Sequence, residues 1–128
     1  MRNTYIEING EIFYTTGMKK VSIYIPESVR LQETSISFEI NAQNVADFTA
    51  EKIVALTGGV SSFEVKGYYK RKDNGQVEVE KNIVLYTFTE NPDDIKTIQL
   101  WAKEIAQEFN QECVLVTIED VQAKFIEP

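Results

Sequence analysis

The chain has 128 residues, enough for one domain that buries a core without disulfide or metal staples. Twenty acidic residues outweigh thirteen basic ones, and the formal charge of −7 speaks against a general affinity for nucleic acid or anionic membrane. There is no histidine, which removes the commonest metal ligand and the usual general base at neutral pH. The single cysteine, Cys113, allows no internal disulfide. No apolar leader follows Met1-Arg2-Asn3, and no run approaches membrane-spanning length, so a soluble cytoplasmic protein without a cofactor is expected.

Tyr5 to Tyr14 reads as a β-hairpin, because two alternating runs flank Asn9-Gly10, a strong two-residue turn signal. An isolated hairpin is marginal in water, so it needs something to dock on. Lys20 to Ile25 is a second alternating stretch, ended by Pro26. Residues 35–40 alternate as well, as an edge strand or an ordered loop. Ala42 to Leu56 reads as a helix with Val45, Phe48, Ile53 and Leu56 toward the core, stopped by Gly58-Gly59. Ser61 to Arg71 and Gln76 to Glu90 form a strand pair around the turn Lys72-Asp73-Asn74-Gly75.

The longest signal lies between Asn91 and Ile118. Asn91 is a good N-cap, Pro92 suits the first helical position, and Asp93 and Asp94 complement the positive end of the helix dipole. Ile95, Ile98, Trp101, Ala102, Ile105, Ala106 and Phe109 fall on one stripe, and Asn110 can end the helix in a left-handed conformation. Cys113 to Ile118 then has the β-branched content of a strand at least partly buried, with Cys113 as a small apolar residue. The tail from Val121 to Ile126 alternates weakly, as a last strand would.

Without its ends the order is strand, helix, strand, strand, helix, strand. This predicts a ferredoxin-like α+β sandwich, with residues 1–17 as an added hairpin and residues 18–128 as the core of a single domain. Val21, Ile23, Ile25, Ile83 and Leu85 should lie under the helices. Tyr24, Val84, Tyr86 and Phe88 should line the opposite face, joined by Lys66, Tyr68 and Lys70. So aromatic a face needs a cover. The leading expectation is a second copy packed sheet to sheet, in a homodimer or higher oligomer. Next comes cover by the hairpin or by residues 26–40, and last a base-stacking platform, against which the acidic charge and the missing RNP pattern both argue.

Lys70-Arg71-Lys72 beside Tyr68-Tyr69 is the most basic stretch, read either as a solvated hairpin end or as an anion contact. Gly58-Gly59 follows a helix and lacks the Gly-Lys-Ser/Thr ending of a phosphate loop. Asp93-Asp94 caps a helix, Glu119-Asp120 marks a turn, and Glu78 and Glu80 alternate on a hairpin. None has the convergence that acid–base or metal chemistry requires.

Val21-Ser22-Ile23-Tyr24-Ile25-Pro26, Leu56-Thr57-Gly58-Gly59, Gly67-Tyr68-Tyr69 and Asn110-Gln111-Glu112-Cys113-Val114 together resemble a scattered set of small proteins of unknown function from bacteria and their phages. The resemblance implies no assigned activity and carries over no functional residue; it implies a phage or host-defence setting. The expectation is therefore a non-catalytic oligomeric binding protein, engaging a protein partner or sequestering a small, nucleotide-like ligand. Its candidate residues are Tyr24, Tyr68, Lys70, Arg71, Tyr86 and Phe88. The alternatives are a small metal-independent enzyme with a pocket between subunits, and an acidic inhibitor that mimics nucleic acid.

Overall fold

A computed structural model describes residues 4–8, 11–15, 17–27, 42–109, 111 and 113–128. Strands β1 (Thr4–Ile8) and β2 (Glu11–Thr15) pair antiparallel as their own two-stranded sheet, with Ile8 opposite Glu11. The remaining elements are β3 (Lys19–Pro26), α1 (Ala42–Thr57), β4 (Ser61–Lys70), β5 (Val77–Thr89), α2 (Pro92–Glu108) and β6 (Val116–Asp120). The fold is mixed α+β: a four-stranded antiparallel sheet in the order β4-β5-β3-β6, with two helices. Asn9, Gly10, Asn110 and the strand or loop expected at 35–40 lie outside the described residues.

The register explains where the core sits. Val21 faces Thr87, Ile23 faces Leu85 and Ile25 faces Ile83, so these residues share one face of the sheet. Against it lie Ala42, Val45, Ala46 and Ile53 of α1, Ala102 and Ile105 of α2, and Phe109 just after α2. Both helices thus cover the same face, and each offers a stripe three to four residues apart.

Local chemistry fixes the helix ends. The Asn91 side chain accepts from the Asp93 N–H at 2.9 Å, the N-cap its sequence signals. Thr89 links that cap to the sheet: its hydroxyl donates to Asp94 at 2.7 Å and accepts from the Asn91 N–H at 3.1 Å. At the other helix, Gly58 has φ +92°, where a side chain would be strained, and its N–H closes α1 on the Val54 carbonyl at 2.8 Å. Thr57 bridges to the buried Thr87 at 2.7 Å, tying the same end to β5.

Three expectations need correction. Phe48 is not core: it is 65 % exposed, and the buried stripe of α1 runs through Val45, Ala46, Thr49 and Ile53 instead. Cys113 is exposed and precedes β6, which starts only at Val116. Residues 121–128 form no strand; after the Val121 N–H bonds to the Met18 carbonyl, the tail has no regular structure. No helix among the described residues is long and apolar enough to cross a membrane.

Candidate functional site

The sheet face turned away from the helices carries Tyr24, Tyr86 and Phe88, as expected, each half-buried. Pairing puts Ser61 opposite Tyr86 and Phe63 opposite Val84, so the residues that β4 contributes there are Phe63, Val65, Gly67 and Tyr69. Tyr68 and Lys70 are corrected to the other face, since they pair with Val79 and Val77 on the side of Leu85. A strand alternates strictly, so misreading its phase by one residue moves every side chain across the sheet. Val84, at the centre of the aromatic face, is 0 % exposed, so the face is not bare in the folded chain.

The aromatics there interlock. The Tyr86 ring meets Phe63 edge-on at 5.7 Å and Phe88 at 6.0 Å, and the Lys20 ammonium stands 4.6 Å from the Tyr86 ring centre. Tyr69 lies across Gly67, where a side-chain carbon would sit 2.8 Å from the ring; its hydroxyl accepts from Asn82 at 3.0 Å. These rings are spent largely on one another.

The basic hairpin end is also committed. Arg71 forks onto Asp73 at 2.9 and 3.0 Å and reaches Glu78 at 2.7 Å. The hydrogen bonds that Arg71 donates to Asp73, then to Glu78, raise the Arg71 pKa, and the same bond to Asp73 holds its carboxyl below its ordinary value. An anion at the guanidinium would have to displace two carboxylates. The cleft beside it is lined by Glu27, Glu78, Val79 and Glu80. Among the described residues, no three His, Cys, Asp or Glu side chains gather as a metal-holding group.

A concave site lies on the helix side instead. A cavity of about 310 Å³ opens between α1 and α2. Its floor is apolar, made by Val45, Ile105 and Phe109, all buried. Phe48 and Trp101 form its walls. The Lys52 ammonium stands between them, 4.5 Å from the Trp101 ring centre and 5.5 Å from that of Phe48. Asn44, Thr49, Glu104 and Glu108 supply the polar lining, with the Thr49 hydroxyl bonded to the Val45 carbonyl at 2.8 Å. The volume and lining are those of a small-molecule site: mostly apolar, with a few charged groups.

Sequence reading missed this cavity because both aromatics sit at helical spacings and look like core. The sequence carries the signal in another form. Phe48 and Lys52 are four residues apart, as are Glu104 and Glu108, so each pair projects from one face of its helix.

Comparison with known proteins bears on the fold. The similar solved structures include two phage SAM lyase structures. A phage SAM lyase in complex with S-methyl-5′-thioadenosine matches with a TM-score of 0.58 at 19 % identity, over 87 % of this chain and 94 % of that one. A phage SAM lyase in its apo state matches with a TM-score of 0.54 at 18 % identity, over 97 % and 100 %. No curated protein matches the sequence. The expectation of a non-catalytic binding protein is corrected by these structures: the fold they share with this chain houses an enzyme, and the enzyme alternative accounts for it better. The absence of histidine removes one kind of catalysis and leaves others. A family model spans residues 22–125, including the Val-Ser-Ile-Tyr-Ile-Pro strand from its second residue and both helices, and the chain belongs to that family, described as "Protein of unknown function (DUF3574)".

Proposed function

We propose that this chain is a lyase acting on an adenosyl sulfonium of the SAM type, releasing S-methyl-5′-thioadenosine, with the cavity between α1 and α2 as its site. The observation that carries the reading is the Lys52 ammonium between Trp101 and Phe48, above an apolar floor and beside Glu104 and Glu108. A seat between two ring faces that holds an ammonium suits a sulfonium for the same reason: the ring quadrupole attracts a cation. The substrate's parts then find partners. Trp101 and Phe48 offer ring faces to the adenine and the sulfonium, Lys52 swings aside to meet the carboxylate, and Glu104 and Glu108 meet the ammonium.

The chemistry asks little of the protein in proton transfer. The bond from sulfur to the aminobutyrate methylene breaks with both electrons moving to sulfur, which leaves as a neutral thioether and needs no acid. The deficiency on carbon is met within the fragment by closure from its own carboxylate oxygen, which forms the new C–O bond as the C–S bond breaks and moves no proton. Charge disappears from sulfur as the bond breaks, so an apolar surrounding favours the transition state over the charged ground state. A ferredoxin-like arrangement belongs to the same reading, supported by the element order from β3 to β6 and by the antiparallel sheet under two helices.

The test is direct incubation. Purified protein given SAM should release S-methyl-5′-thioadenosine, detected by mass spectrometry, and should leave the neutral thioether S-adenosylhomocysteine intact. SAM that survives equally well with and without the protein overturns the proposal.

A further inference from the structure

Strands β4 and β5 run past the rest of the sheet. β3 reaches β5 only as far as Pro26 opposite Asn82, whereas β4 follows β5 out to Lys70 opposite Val77. Residues 66–81 therefore form a two-stranded arm that projects about 17 Å beyond β3, taking five residues at strand rise. Among the described residues, no strand pairs with β5 along 77–80, and the Glu27 N–H bonds the Lys81 carbonyl at 2.9 Å where β3 ends. Its helix-side face is exposed and mixes three apolar side chains with three lysines: Tyr68, 67 % exposed, pairs with Val79, Val77, 65 % exposed, pairs with Lys70, and Lys66 pairs with Lys81. The tip is held stiff by Arg71 on Asp73 and Glu78. A two-stranded ribbon with exposed valines is marginal in water unless something covers it.

The opposite edge of the sheet shows a complementary surface. β6 and the tail carry Ile118, Phe125 and Ile126 outward, the last two 74 % and 77 % exposed. Charge separates the two surfaces. The arm holds five basic and three acidic residues, a net of two positive charges, while residues 116–128 hold three acidic and one basic, a net of two negative charges. Apart from the arm, the chain carries −9.

We propose that the arm of one copy docks on the β6 edge and tail of the next. Tyr68, Val77 and Val79 would meet Ile118, Phe125 and Ile126, with Lys70 and Lys72 near Glu119 and Glu127. Arm and acceptor lie on opposite edges of one sheet, so the contact is head to tail. This interface differs from sheet-to-sheet packing and does not depend on the lyase reading.

The experiment uses two variants of the full chain, each checked for native circular dichroism: Val77→Lys with Val79→Lys, and Phe125→Lys with Ile126→Lys. By light scattering at micromolar concentration, the parent chain is an oligomer and each variant a monomer. Mixed together, the two variants give a one-to-one dimer, because one retains the acceptor and the other retains the arm. The proposal is overturned by a monomeric parent chain, by variants that keep the parent's mass, or by a mixture that stays monomeric.

Discussion

Phe48→Ala is expected to weaken binding of S-methyl-5′-thioadenosine by a factor of roughly 5 to 150 while leaving the fold as stable as before. The binding loss follows from removing one of two ring faces, and stacking of a base on an aromatic side chain is worth about 1–3 kcal/mol. The unchanged stability follows from the 65 % exposure of Phe48, which leaves little burial to lose, and from alanine being the better helix former. Calorimetric titration and a thermal melt on the same sample separate the two effects. Binding that survives the substitution would remove Phe48 from the site. A lowered melting temperature would return it to the core, where sequence periodicity had put it.

Ile53→Ala, on the same helix, should do the reverse. Ile53 is buried between α1 and the sheet, in the cluster that includes Ile23, Ile25 and Leu85. Truncating such a side chain costs about 2–5 kcal/mol, from lost transfer energy and the cavity left behind. Domains of this size have only about 5–15 kcal/mol in total. A fall in melting temperature of roughly 10–20 °C is expected for a chain between the size classes of small and medium domains. Val54→Ala, one residue on and exposed, should stay within about 0.5 kcal/mol of the parent. Equal losses at both positions would mean that α1 does not present the face described.

The contrast between Phe48 and Ile53 shows what could be read from the residues alone. Elements with local, periodic signals were legible: the Asn91 cap and Pro92 start of α2, the Gly58 stop of α1, and the turn at Gly75 all stand where the sequence puts them. So did the alternation of β3 and β5, whose central places make both faces of each strand chemically distinct. The phase of β4 was not legible. Tyr68 and Tyr69 are adjacent and alike, and along Lys66–Lys70 no helix lies above to make one face apolar. Either phase fits the pattern, and only the pairing of Tyr68 with Val79 decides it. The cavity was hidden for a related reason. A stripe on a helix tells which side is apolar, but two stripes that do not fully meet leave a hollow that depends on how far apart the helices stand. That distance is a property of packing, not of either helix sequence.

The chain's single tryptophan makes the central claim directly measurable, because Trp101 is itself a wall of the proposed site. Titrating S-methyl-5′-thioadenosine into the protein should change Trp101 emission saturably, at one site per chain, and Phe48→Ala should shift the curve to higher ligand concentration. Emission that does not change across the titration, beyond what the ligand's own absorbance produces, would contradict the assignment of the α1–α2 cavity as the place where an adenosyl ligand binds.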